Sequence, residues 1–250
     1  MIKNYPHIYD IKLLSKVDHP YRQRVVKSIR ESRFPMFDIL EGQPSNPQSW
    51  LSSPQKPFYM PIVALEPLSP ANTYQIGFDL YSVEAYRNMI NEAVYTGKSA
   101  VIAPIKLANQ QDGYMVLKAI YAGRVRPKDP DERQKQTVYV AAATMQVRDL
   151  VPLAKANRQY SVLINILSTS VQQKELVFQF DDPVHRHDIH TALSVEQYQK
   201  IYDRDGQAIE LKVAYPVYLH DLVTNKLFFV LSAWGLLLIL VYLMINMHFQ

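Results

Sequence analysis

Apolar side chains recur at helical spacing near the start of the chain. Ile8, Ile11 and Leu14 are three residues apart, and after a proline break a second such set runs from Tyr21 to Ile29. A loop rich in Pro, Ser and Gln follows at 41–57. The spacing therefore predicts two helical pieces ahead of this loop.

The middle of the chain combines one helical stripe with several strand-like runs. Residues 83–97 place their apolar side chains on one face of a helix, and Gly97 stands where a glycine commonly follows a helix. Strand-like apolar runs lie at 58–70, 100–107, 114–123 and 138–147. This order predicts an α+β unit in which the helix packs on one face of an antiparallel sheet. Three weaker strand patterns after Tyr160 predict a second, smaller sheet unit, with a short helix at 194–203.

The C-terminal stretch from Leu227 to Ile245 contains no charged residue. At about 1.5 Å per residue, a helix of this length spans roughly 29 Å, which is the thickness of a hydrocarbon core. A buried core helix would keep a polar face, and this stretch has none. We therefore predict a transmembrane helix here.

The composition narrows the classes of function. Lys and Arg number 27 and Asp and Glu 23, a formal net charge of +4 without a dense basic run, which argues against a nucleic-acid partner. The chain has no cysteine, which excludes disulfides, thiolate metal sites and cysteine nucleophiles. It also lacks a glycine-rich phosphate loop, a GxSxG elbow and an HExxH motif. We therefore expect no enzymatic activity and no cofactor.

A series of short motifs runs through the middle of the chain. Its elements are, in order, Glu66-Pro67, Asn72, Gly77 to Asp79, Arg87, Thr96-Gly97, Pro104 to Leu107 and Tyr121. This series resembles the CHASE domain, the extracellular or periplasmic sensory module found ahead of histidine kinases and cyclases. The similarity extends back to Phe34 to Ile39 and forward to Thr144 to Val151, so that it covers about half of the chain. An ordered series of this length is far more specific than a single short motif.

The resemblance implies an α+β architecture with a long N-terminal helix, two tandem PAS-like units of antiparallel sheet with flanking helices, and one C-terminal transmembrane helix. The expected boundaries are stalk helices at 1–45, a membrane-distal ligand-sensing unit at 46–160, a membrane-proximal unit at 161–224, and the transmembrane helix with a short stub at 225–250. The resemblance also implies a homodimer, and a second, N-terminal membrane helix in the full-length protein. Residues 1–224 would then lie outside the cytoplasmic (inner) membrane, in the periplasm or the extracellular space.

In function, the resemblance implies a sensor that binds an unknown small molecule in the distal unit. The change would pass through the membrane helix to a histidine kinase or a diguanylate cyclase or phosphodiesterase output outside this chain. The alternative is a membrane-anchored protein-interaction module without a small-molecule ligand. An exposed apolar patch in place of a closed pocket would favour this alternative.

The resemblance also points to candidate ligand contacts. Asp79 matches the aspartate that accepts hydrogen bonds from the ligand in hormone-binding members, although it could instead cap the turn into the next helix. Ile102 and Ala103 stand where many members carry Thr or Ser, which argues against cytokinin-like ligands. The expected pocket walls, each with core packing as its alternative, are Phe78, Tyr81, Val101, Ile102, Leu117 and Tyr121.

One histidine cluster has the donor types of a metal site. His185, His187 and His190 lie close to Asp181 and Asp182, and such ligands suit zinc, nickel or copper. Their spacing fits neither a helical i, i+4 pair nor a zinc ribbon, so we predict no metal site. The cluster leaves open a third possibility, a membrane-anchored metal-dependent hydrolase.

Overall fold

Two compact units make up the chain in a computed structural model. Its described residues are 5, 7–107, 110–123, 125–146, 161–169, 174–181, 194–205, 207–217 and 228–248. The first unit comprises 1–152, 165–180 and 201–210, and the second comprises 153–164, 181–200 and 211–250.

Strands dominate the described part of the chain. Its α-helices are α1 (Arg22–Ser32), α2 (Glu84–Thr96), α3 (Pro130–Gln136) and α4 (Phe228–His248). The strands up to residue 146 are β1 (Ile8–Ser15), β2 (Val17–Asp18), β3 (Leu40–Glu41), β4 (Leu51–Ser52), β5 (Phe58–Tyr59), β6 (Ile62–Glu66), β7 (Ala100–Lys106), β8 (Asp112–Tyr121) and β9 (Thr137–Gln146). Those that follow are β10 (Ser161–Thr169), β11 (Lys174–Asp181), β12 (Ser194–Arg204) and β13 (Gln207–Val217).

The core of the first unit is a five-stranded antiparallel sheet in the order β6-β1-β9-β8-β7. Helix α2 packs against β7 and β8. The buried side chains of the sheet include Leu14 on β1, Val140 on β9 and Leu117 on β8. The predicted strands over β7, β8 and β9 are confirmed, because each run carries enough apolar residues to cover a buried sheet.

The helix predicted at 83–97 is also confirmed. Ile90, Ala93 and Val94 are buried on one face of α2. Gly97 follows the helix in the left-handed region, with φ of 67°, and its N–H donates to the carbonyl of Ala93. The local sequence was sufficient here because both the apolar stripe and the terminating glycine are local features.

The predicted long N-terminal helix is wrong. Residues 8–15 form β1, and only the second of the two expected helical pieces exists, as α1. The side chains that β1 buries are Asp10, Lys12 and Leu14, which alternate as a strand requires, while Ile11 is 39% exposed. Two of the three buried residues are charged, so the buried face of β1 does not show up as an alternation of apolar residues. The three-residue spacing of the remaining apolar residues is a coincidence and does not mark a helix.

The second sheet corrects the expected PAS-like unit with flanking helices. Its strand order is β11-β10-β13-β12. Within the described residues between 161 and 217, every regular element is a strand, and the short helix expected at 194–203 is instead part of β12. The three strand patterns predicted after Tyr160 coincide with β10, β11 and β13. In β12 the apolar residues Val195, Tyr198 and Ile201 recur every three positions, so strand pairing overrides the pattern of that segment.

The prediction of a transmembrane helix from Leu227 to Ile245 is corrected as well. No helix of the described residues is both long enough and apolar enough to cross a membrane.

Candidate functional site

A cavity of about 410 Å³ opens over one face of the five-stranded sheet. Strands β1, β6, β7, β8 and β9 supply one side of it, and residues 44–50 and 74–86 supply the other. Its lining consists of Tyr9, Asp10, Lys12, Pro44, Ser45, Pro47, Trp50, Ile62, Tyr74, Gln75, Phe78, Leu80, Tyr86, Ile105, Lys106, Leu107, Gln110, Met115 and Thr144. A cavity of this size suits a small molecule.

Three polar side chains meet at the sheet side of this cavity. Lys12 Nζ lies 2.5 Å from Asp10 Oδ1 and donates to Thr144 Oγ1 at 3.1 Å. All three residues are buried: Lys12 is 5% exposed, and Asp10 and Thr144 are each 2% exposed. We call Asp10, Lys12 and Thr144 the polar floor.

The sheet register assembles the polar floor. Asp10 and Lys12 are two residues apart on β1 and therefore point to the same face. Asp10 lies opposite Thr144 across β1 and β9, and Thr144 lies opposite Met115 across β9 and β8. Residues far apart in sequence thus reach one point through backbone pairing alone.

The electrostatics of the floor are those of a neutral but polar buried surface. Burial lowers the pKa of the Lys12 ammonium, and the Asp10 carboxylate opposes this shift. Burial also raises the pKa of the Tyr86 phenol, and the negative charge of Asp10 adds to the shift. Tyr86 therefore stays a neutral hydroxyl near pH 7, able both to donate and to accept a hydrogen bond.

Aromatic rings form much of the opposite wall. The Trp50 ring lies 4.1 Å from the Phe78 ring and 5.8 Å from the Tyr74 ring, measured between centroids. The Trp50 indole Nε1 donates to the carbonyl of Gln43 at 2.8 Å, which fixes the ring on its loop. The wall can therefore bind an apolar ring while the floor supplies hydrogen bonds.

Asp79, the predicted ligand contact, lies outside the lining of this cavity. It is fully buried, and its Oδ1 accepts hydrogen bonds from the N–H groups of Met60 at 2.9 Å and Tyr81 at 3.2 Å. Its Oδ2 lies 3.5 Å from Lys56 Nζ, which also contacts Glu41. The carboxylate caps the single 3₁₀ turn Leu80–Ser82, as the alternative interpretation of the sequence described. A ligand contact for Asp79 stays a prediction.

Among the other expected wall residues, Phe78 belongs to the cavity lining. Tyr81 donates from its hydroxyl to Asn91 Oδ1, and Tyr121 donates from its hydroxyl to the Val94 carbonyl. Val101 and Leu117 are buried and Ile102 is partly buried, all three outside the lining.

The histidine cluster at His185, His187 and His190 lies outside the described residues. Within the part of the chain that is described, no group of His, Cys, Asp or Glu side chains is arranged to hold a metal ion.

Sequence reasoning missed the polar floor and the Trp50 wall. A signal for the floor was present, because the segment from Ile8 to Ser15 carries Asp10 and Lys12 within a mainly apolar run. Charged residues at i and i+2 on the inner face of a strand are rare unless a partner or a cavity accommodates them. No comparable signal marked Thr144 or Trp50.

The Asp79→Asn variant is expected to gain stability relative to the wild type as the pH rises above about 4. Burial, the largest influence, raises the pKa of the Asp79 carboxyl in the folded protein, against the lowering effects of the Met60 N–H, Lys56 and the Tyr81 N–H. Between the unfolded and the folded pKa the folded state binds more protons than the unfolded state. The contribution of Asp79 to the free energy of unfolding of the wild type therefore falls as the pH rises through this window and is constant above it.

Urea denaturation of both proteins at a series of pH values measures this difference. If the Asp79→Asn variant instead loses stability relative to the wild type as the pH rises above about 4, then Lys56 and the two N–H groups outweigh the effect of burial.

Comparison with known proteins finds one family. The sequence profile of the CHASE domain matches residues 2–178. No curated protein matches the chain. Among solved structures, an extracellular ligand binding receptor from Desulfohalobium retbaense DSM5692 is similar at 14% identity and a TM-score of 0.34, over 62% of this chain and 28% of that chain. So loose a likeness carries no argument about the site.

Proposed function

Since the chain belongs to the CHASE domain family of sensory modules, we propose that it senses a small molecule bound in the cavity between the polar floor and the aromatic wall. The family match confirms the resemblance on which the sensory prediction rested. The observation that supports ligand binding is the combination of a cavity of about 410 Å³ with a few convergent buried polar groups.

The proposed response follows from which elements line the cavity. The floor belongs to β1 and β9 of the sheet, whereas Trp50 lies on a loop and Tyr86 on α2. A ligand in contact with all of these favours the arrangement in which they surround it most closely. The bound state would thus fix the position of α2 and of the loop at 44–50 over the sheet.

The remaining steps of the proposal concern the whole protein. The module would act outside the cytoplasm and pass its change of state to an output domain elsewhere in the full-length protein, either a histidine kinase or a diguanylate cyclase or phosphodiesterase. This chain would contribute sensing and no catalysis. Family membership supports this assignment of roles.

A bound ligand is expected to change the fluorescence of Trp50, because this indole forms part of the cavity wall. The chain has two tryptophans, Trp50 and Trp234.

The full chain would be screened by thermal shift against small metabolites, including purine-type compounds and short organic acids. Ligand at about 100 times its dissociation constant adds about 2.7 kcal/mol to the free energy of unfolding, so a true ligand raises the melting temperature.

The two tryptophans provide a matched pair of controls for each hit. Trp234→Phe should keep the change in emission on ligand addition, and Trp50→Phe should lose it. Phenylalanine at position 50 preserves an aromatic contact with Phe78, so this variant is expected to fold. A response that survives in Trp50→Phe and vanishes in Trp234→Phe would place the ligand elsewhere, and a screen without any stabilising compound would count against small-molecule sensing.

A further inference from the structure

The polar floor lines the cavity and has hydrogen-bonding capacity that its contacts among the described residues do not use. No described residue donates a hydrogen bond to Asp10 Oδ2, since the contact with Lys12 uses Oδ1. Lys12 Nζ has three N–H donors, and two are directed at Asp10 Oδ1 and Thr144 Oγ1. One acceptor and one donor thus lie side by side on buried residues that line the cavity.

The charges of this pair cancel. An ammonium and a carboxylate 2.5 Å apart leave no net charge at the floor. Among the described lining residues, the other charged side chain is Lys106, which is 68% exposed and pairs with Asp112 at 2.5 Å. A ligand ion placed on the floor would therefore be removed from water without an opposite charge to compensate it.

We propose that Asp10 and Lys12 together make the site selective for uncharged ligands that carry a hydrogen-bond donor next to an acceptor, such as a carboxamide or lactam edge on an aromatic ring. The inference rests on the proposed function, because it specifies the ligand class of the same cavity. The ligand N–H would donate to Asp10 Oδ2, and the ligand carbonyl would accept from Lys12 Nζ. The ion pair stays intact, and the ring lies against the wall formed by Trp50, Tyr74 and Phe78.

Three aromatic probes of nearly equal shape test the selectivity: benzamide, which is neutral, benzoate, which is an anion, and benzamidinium, which is a cation. Their dissociation constants for the full chain would be measured by ligand-observed NMR at pH 7. Benzamide should bind the wild type at least about tenfold more tightly than either ion, because only benzamide leaves the floor neutral.

Amide variants then change the charge of the floor while they keep its hydrogen bonds. Lys12→Gln leaves Asp10 as a net negative charge and should shift the preference to benzamidinium. Asp10→Asn leaves Lys12 as a net positive charge and should shift it to benzoate. The double variant D10N/K12Q restores neutrality and should again prefer benzamide. Lys27→Gln, at an exposed lysine of α1 outside the cavity lining, should leave the wild-type order unchanged.

The outcomes separate this inference from the proposed function. If the wild type binds all three probes equally, or if either single variant keeps the order of the wild type, the inference fails while the cavity remains a ligand site. If no probe binds the wild type or any variant, the cavity itself loses its support as a ligand site. Should one single variant fail to fold, the other single variant still shows whether the order of the three probes follows the charge of the floor.

Discussion

Gly77→Ala is expected to lower the free energy of unfolding by about 4 kcal/mol or more, which would leave little of a typical domain's stability. Gly77 has a φ of 92°, in the region that favours glycine, and a Cβ at this position would lie 2.1 Å from the backbone oxygen of Asp38. The neighbouring backbone cannot move aside easily. The Gly77 N–H donates to the Ile62 carbonyl at 2.8 Å, and the Gly77 carbonyl accepts from the Leu40 N–H at 2.9 Å.

Gly123→Ala is the matched control for this prediction. Gly123 also has a positive φ, of 106°, but among the described residues a Cβ there would meet no atom within 4 Å. Its expected cost is about 1–2 kcal/mol, from backbone strain alone. Urea denaturation followed by circular dichroism measures both variants. Equal losses in the two would show that strain, and not the approach to Asp38, sets the cost at Gly77.

The three residues Gly77, Phe78 and Asp79 show why a short motif could carry a family resemblance. Gly77 permits the close approach of the chain at Asp38, Phe78 belongs to the cavity wall, and Asp79 caps the turn that follows. Each position has its own physical requirement, so the motif is recognisable without knowledge of the fold. The sequence of the motif does not reveal which of its three residues faces the cavity, because that depends on how the turn packs.

The parts of the fold that were predictable from sequence are those determined by local pattern. Helix α2 has both an apolar stripe and a terminating Gly97, and strands β7 to β9 are rich in apolar residues. Strand β1 was not predictable in this way, because its buried face consists largely of Asp10 and Lys12. A hydrophobic pattern assumes an apolar interior, and it fails where the interior is built around a polar cavity floor.

The candidate site was less predictable than the fold, for a related reason. Its members Asp10, Thr144 and Trp50 are separated by up to about 130 residues and meet through strand register and loop packing. Asp79 was more conspicuous in the sequence, and its carboxylate contacts Lys56 and the N–H groups of Met60 and Tyr81. A titratable residue that is prominent in a motif can thus serve the local turn, while the polar groups at the cavity come from unremarkable sequence.

Lys12→Met is expected to lower the free energy of unfolding by about 3–5 kcal/mol, because it leaves the Asp10 carboxylate buried without its counter-ion. The side chains of Lys12 and Asp10 are only 6% and 3% exposed. Lys106→Met is a matched control, since Lys106 Nζ is also 2.5 Å from its carboxylate partner, Asp112, but the side chains are 68% and 45% exposed. Its expected cost is about 0–1 kcal/mol. Urea denaturation at pH 7 measures all of these variants.

The double variant Asp10→Leu/Lys12→Met separates the stability of the pair from its role in binding. Replacing a whole buried ion pair by apolar side chains of similar volume is often neutral or stabilising, by about 1–4 kcal/mol. We therefore expect the double variant to recover most of the loss caused by Lys12→Met. It should bind benzamide at least about tenfold more weakly than the wild type, because Leu and Met offer neither a donor nor an acceptor to the amide. A double variant as unstable as the single one would mean that the pair is retained for stability. If stability recovers while benzamide binding weakens, the pair is instead retained for the ligand, and the fold does not need it for its own stability.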